Sequence, residues 1–163
     1  MKQLLIIRHA KSSWDLSVLN DFDRPLNDRG NKDAPIMAKR LLDKKIAINA
    51  FVSSTAKRAF ATATYFAAAY KQSSKNIIQF PELYHASPVT FYEVINKISD
   101  DFKTIAIFSH NPGITSFVNE LTTTTVDDMP TCAIFAVTIN CNNWADFKTA
   151  KKEFCFFDYP KNS

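Results

Sequence analysis

Two short runs constrain this chain more than anything else in it: Leu4-Leu5-Ile6-Ile7 near the start and Thr104-Ile105-Ala106-Ile107-Phe108-Ser109 a hundred residues on. Uninterrupted apolar stretches of this length predict strands buried on both faces, as in the central parallel strands of an α/β sheet. Between and around them lie helical periods. Arg29 to Lys45 repeats Ala34, Met37, Ala38, Leu41 and Leu42, with Asp28 as a candidate N-cap. Ala56 to Tyr70 places Ala59, Phe60, Ala63, Phe66, Ala67 and Tyr70 on one face, and Thr90 to Ser99 carries Phe91, Val94, Ile95 and Ile98. Pro112 and Gly113 open a further helix toward Leu121. Shorter strands are expected at 50–53 and 77–80, and two adjacent ones at 132–139 and 153–159. Strands alternating with helices, closed by two neighbouring strands, predict a three-layer α/β/α sandwich around a mixed, mostly parallel sheet. With no linker or repeat, residues 1–163 are expected to form one domain.

Composition narrows the partners. A net charge of +4, from 20 basic and 16 acidic side chains spread along the chain, lacks the concentrated basic stripe of a nucleic-acid binder but agrees with an anionic substrate. The longest apolar stretch falls far short of the ~20 residues of a membrane span, and no cleavable leader is expected at the start. Cys132, Cys141 and Cys155 form no CxxC pair, which predicts reduced, buried thiols and a cytoplasmic setting.

Four residues recur at one structural address. Arg8 and His9 follow the first strand, Arg58 lies at the start of the helix after the second, and His110 follows the strand 104–109. In a parallel arrangement these strand ends share one rim of the sheet, where open α/β sheets place their ligands. The helices that open after 50–53 and 104–109 aim their first N–H groups at the same rim. Each residue taken singly has a plainer reading, as a core-edge cation or a satisfied structural histidine; their shared placement is what points to a site. Two guanidiniums and two imidazoles suit phosphoryl transfer. Arginine forks bind phosphate oxygens and gain strength as charge spreads in the transition state, and a neutral imidazole can attack phosphorus. Three histidines with no His-x-His or HExxH pattern carry no metal site, so neither metal nor other cofactor is expected.

At this point the chain resembles the histidine phosphatase superfamily, also called phosphoglycerate mutase-like, and within it the SixA-type phosphohistidine phosphatases. The resemblance rests on Arg8-His9-Ala10, Lys11-Ser12-Ser13-Trp14, Asp23-Arg24-Pro25-Leu26, Arg29-Gly30, Ser53-Ser54 through Arg58 to Thr62-Ala63, and Ser109-His110-Asn111-Pro112-Gly113. It implies that His9 is the nucleophile, that Arg8 and Arg58 bind the phosphoryl group, and that His110 completes the pocket. It also places Glu82 where many relatives carry a proton donor, with His85 three residues on as the alternative. Ser12 is a candidate further phosphate ligand, while Lys11 and Trp14 are placed at the entrance. Ala10 stands where the family signature has glycine, which implies an ordinary backbone conformation there.

Little sequence is left for a lid, the longest candidates being 11–28 and 84–99. An open pocket suits phosphohistidine on a protein surface better than an enclosed metabolite. A phosphatase of a small phosphate ester, or a catalytically silent phospho-binding module, is the competing reading.

Overall fold

A computed structural model describes residues 1–15 and 20–162. The expected segment 11–28 therefore includes positions, 16–19, that lie outside the described residues. The six strands are β1 (Lys2–Arg8), β2 (Ala50–Ser53), β3 (Ile78–Gln79), β4 (Thr104–Ser109), β5 (Ile134–Ile139) and β6 (Lys152–Asp158). They form one sheet in the order β3-β2-β4-β1-β5-β6. The first four in that order pair parallel; β5 runs antiparallel to both β1 and β6. This is the mixed sheet expected from the sequence.

The helices are α1 (Asp28–Asp43), α2 (Lys57–Ala69), α3 (Pro88–Asn96) and α4 (Gly113–Val118). Alternation along each strand sorts its side chains between two cores. Leu5, Ile7, Phe51, Ala106 and Phe108 pack against Met37, Ala38 and Leu41 of α1 and Ala63, Phe66 and Ala67 of α2. On the other face Leu4, Ile6, Val52, Ile105 and Ile107 pack against Phe91 and Val94 of α3 and Ile114 and Phe117 of α4. Leu4 to Ile7 and Ile105 to Phe108 are all fully buried. Each aliphatic or aromatic side chain so enclosed contributes roughly 1.5–3 kcal/mol of transfer free energy.

Several boundaries differ from the sequence reading. Asn27, not Asp28, caps α1: its backbone is extended and its side chain accepts from the Gly30 N–H. α4 stops at Val118, because the Asn119 side chain turns to bond Val126 through both its amide nitrogen and its oxygen. Of the three thiols only Cys132 is buried. Cys141 is half-buried and Cys155 exposed, since β6 is an edge strand. All three are free.

The parallel pairings bring strand ends level. Arg8 sits opposite Ser109, and Ser53 opposite Phe108. Backbone bonds carry the alignment one step further: the His9 N–H donates to Ser109 O (3.1 Å) and the Ser54 N–H to Phe108 O (3.0 Å). The loop after β1 is tied across its base, where the Ser13 N–H donates to Pro25 O and the Asn27 N–H to Lys11 O. Two glycines permit close backbone approach nearby. A β-carbon on Gly30 would collide with the Lys11 carbonyl, and one on Gly113 with the Ala86 carbonyl.

Gly113→Ala is expected to lose roughly 1–3 kcal/mol of unfolding free energy through this overpacking. A lowered urea midpoint at unchanged slope would show it, and a wild-type midpoint would mean that the 85–87 segment yields freely.

Candidate active site

At the shared carboxyl-terminal rim of β1, β2 and β4 lies a cavity of about 290 Å³. Arg8, His9, Arg58 and His110 all line it, although they come from segments a hundred residues apart. His9 and His110 face each other with ring centroids 5.1 Å apart. The Arg58 Nε–H points at His9 Nε2 at 3.4 Å.

The His9 ring is held in one tautomer. Its Nδ1 lies 2.7 Å from Ala10 O, and a carbonyl can only accept. The proton of the neutral ring is therefore on Nδ1, leaving the Nε2 lone pair on the side of Arg58. Ala10 is anchored in turn by its N–H, which donates to Thr62 Oγ1 (2.9 Å), itself bonded to the Arg58 carbonyl. Ala10 is absent from the residues with positive φ, as the sequence reading expected.

Burial keeps both imidazoles neutral. His9 is pushed down to about 3, chiefly by desolvation, which the Ala10 bond opposes and to which the charges of Arg58, Arg8 and Arg24 add. His110 is pushed down to about 2, again chiefly by desolvation and further by His9 and Arg58. Its Nε2 lies 2.8 Å from Ser54 Oγ, while its Nδ1 is buried without a partner among the described residues. The Nε of Arg8 is likewise buried and unpartnered, with the same guanidinium donating to Met129 O (2.9 Å) through NH1.

The cavity also contains residues for which the sequence reading named no role. Arg24 donates to Ser12 Oγ (2.7 Å) and to Asp21 Oδ1 (3.1 Å), and stacks 3.5 Å over the exposed Trp14 ring. Asp21, from a 3₁₀ turn at Asp21–Asp23, accepts from Arg58 NH2 (3.0 Å) and from the Tyr84 hydroxyl. Burial works against ionisation of Asp21, but the bonds from Tyr84 and Arg58 hold its carboxyl well below the usual carboxylate range. Arg24 belongs to the motif Asp23-Arg24-Pro25-Leu26, which is a sequence signal for it. Tyr84 and Asp21 had none, because a single tyrosine or aspartate in a polar loop has no period or spacing to mark it.

Ser12 lines the cavity with its hydroxyl engaged by Arg24, and Lys11 and Trp14 line it too. His85 also faces it, stacked on Tyr84 at 4.0 Å. Glu82 does not line it: the side chain is exposed and pairs with Lys97 at 3.5 Å. The 3₁₀ turn Pro81–Leu83 that carries Glu82 buries Leu83 instead. A second hollow of about 350 Å³ adjoins, sharing Tyr84, His85, His110 and Asn111 and continuing past Pro88 to Ser116. Among the described residues no helix is long and apolar enough to cross a membrane.

Comparison with known proteins decides the family. The model of the histidine phosphatase superfamily (branch 1) matches residues 4–85. The chain belongs to that superfamily, and is a phosphoric-ester hydrolase of it. A Mycobacterium leprae protein of undescribed activity is 29% identical over 168 residues, covering 95% of this chain and 100% of that one. A Mycobacterium tuberculosis relative is 27% identical over 169 residues, with the same coverage of 95% and 100%. Among solved structures, the protein histidine phosphatase SixA complexed with tungstate superposes with a TM-score of 0.82 at 23% identity, covering 98% of each chain. The mycobacterial glucosyl-3-phosphoglycerate phosphatase in complex with VO3 gives 0.71 at 11% identity, covering 98% of this chain and 100% of that one. At such identities the likeness is one of fold, the phosphoglycerate mutase-like α/β sandwich.

A folded-state pKa below the unfolded value of 6.5 means that the unfolded chain binds more protons in acid. Stability supplied by the two neutral rings is therefore complete above about pH 6.5 and is lost as pH falls, by about 1.4 kcal/mol per unit for each ring. Urea unfolding at pH 7.5 and pH 5 is expected to show this loss, and His110→Gln to lessen it. A pH-independent midpoint would contradict neutral burial of the pair.

Proposed function

We propose that this chain is a metal-independent phosphatase that passes the phosphoryl group through His9 and removes phosphate from phosphohistidine on a protein. The observation that carries the reading is the His9 ring: protonated at Nδ1 by its bond to Ala10 O, it turns the Nε2 lone pair toward a cavity lined by Arg8 and Arg58. An imidazole with a depressed pKa remains a nucleophile at neutral pH, where a free histidine is partly protonated. Arg8, Arg58 and His110 line that cavity together, a cationic and hydrogen-bonding wall that suits an oxyanion. Similarity in fold to a SixA structure that holds tungstate supports the same occupant.

In this reading His9 Nε2 attacks phosphorus as the bond from phosphorus to the substrate's imidazole nitrogen breaks. The leaving ring takes up one proton. Water then cleaves the N–P bond on His9 and releases inorganic phosphate. Arg8 and Arg58 neutralise charge on the equatorial oxygens as it spreads in each transition state. Of the two candidate proton donors, His85 has the better position, because it lines the cavity while Glu82 is turned to Lys97. Ser12 acts through Arg24, which its hydroxyl holds at the cavity wall.

A protein substrate is favoured by the trough that the two adjoining hollows make together. A phosphorylated side chain can lie along it while its own backbone stays outside. Three unpaired cysteines agree with a cytoplasmic setting.

Brief exposure to a labelled phosphodonor is expected to leave an acid-labile phosphoryl group on His9, and His9→Ala to abolish it. Label on serine or aspartate would contradict the mechanism. Arg8→Ala and Arg58→Ala are each expected to lower kcat/KM by about 10²–10³. A panel of phosphoproteins and small phosphate esters separates the substrate classes; turnover of an ester faster by orders of magnitude would assign the site to small molecules. Equal phosphate release by wild type and His9→Ala would instead favour a silent binding module.

A further inference from the structure

Arg58 is already engaged by protein groups. Its NH1 donates to the backbone oxygen of Asp21 (2.7 Å) and its NH2 to the Asp21 carboxylate (3.0 Å), leaving only Nε directed at His9. Arg24 donates to the other carboxylate oxygen. Among the described residues, Asp21 is the one carboxylate lining a cavity that also holds Arg8, Lys11, Arg24 and Arg58. Its side chain is half exposed, on a short 3₁₀ turn, so the ion pair is screened and replaceable.

The Asp21 carboxylate occupies one arm of a phosphate-binding fork, NH2, with the same charge-assisted hydrogen bond that a phosphoryl oxygen would make there. It also places a negative charge in the wall of the cavity proposed to hold the phosphoryl group. Such a group opposes oxyanion binding twice, by occupying donors and by repulsion. For an enzyme whose product is itself the oxyanion, weaker ground-state binding of phosphate speeds release, whereas transition-state contacts from Arg8 are untouched.

We propose that Asp21 is an internal competitor for Arg58, which sets the affinity of the pocket for phosphate and so limits inhibition by the product. The inference rests on the phosphoryl pocket proposed above. Asp21 does not touch the reacting atoms; it acts through Arg58. A purely structural or positioning role predicts the opposite sign, because a slackened Arg58 would bind phosphate less well.

Isothermal titration of the full chain with inorganic phosphate tests this. Asp21→Asn, nearly isosteric and still able to accept from Tyr84, is expected to bind phosphate roughly tenfold more tightly than wild type. Asp21→Ala should move the same way, and phosphate should inhibit turnover by either variant more strongly. At fixed pH the gain should be larger for sulfate, a dianion, than for nitrate, a monoanion. Thermal melts establish that both variants are folded. Equal or weaker phosphate binding by folded Asp21→Asn would overturn the proposal while leaving the phosphatase reading intact. Absence of phosphate binding by wild type and Asp21→Asn alike, or binding by Asp21→Asn that Arg58→Ala leaves unchanged, would count against the pocket assignment and this inference together.

Discussion

Everything at the cavity depends on the parallel register of β1, β4 and β2. Backbone hydrogen bonding places Arg8 level with Ser109 and Ser53 level with Phe108, so the residues that follow, His9, His110 and Ser54, emerge side by side. A slip of one residue in any pairing would turn Leu4–Ile7 or Ile105–Phe108 inside out, exchanging the side chains that face α1 and α2 with those that face α3 and α4. The two cores thus hold the register, and the register holds the site. Neither imidazole nor guanidinium contributes to that alignment; they are carried to the rim by apolar strands.

Once gathered, the polar groups constrain one another. Burial has already made both imidazoles reluctant to take a proton, and nearby charge deepens that reluctance: Arg58 at both rings, Arg8 and Arg24 at His9. Neutrality is what the chemistry of a nitrogen nucleophile requires. The same crowding of cations would be unfavourable without counter-charge. Asp21 supplies part of it at the cavity, and Asp128 lies close enough to raise the pKa that burial lowers at Arg8. The Tyr84 hydroxyl on Asp21 and the edge-on contact of Tyr84 with His110 connect the two sides of the pocket.

Similarity of fold with phosphatases at 11% to 23% identity shows how much sequence change this sandwich tolerates. Function follows from side chains at the rim rather than from the sheet. In this chain the rim continues into a second hollow between the 85–88 segment and the start of α4, where Gly113 lets the Ala86 carbonyl approach the helix.

The sequence by itself determined the layered architecture, because four-residue and six-residue apolar runs have few ways to be buried and the helical periods between them demand a face to cover. It also marked Arg8, His9, Arg58 and His110, since each follows an apolar run and so inherits a place at the strand ends. Helix ends were less legible: Asn27 and Asp28 are both good caps, and only backbone conformation chose between them. What tertiary structure alone decided was the company these groups keep. Asp21, Arg24 and Tyr84 reach the cavity through turns whose direction no periodicity records, while Glu82, plausible by position, is rotated away to Lys97 as Leu83 takes the buried place beside it. Short polar loops are positioned by hydrogen bonds to distant segments, and those partners are invisible until the chain has folded.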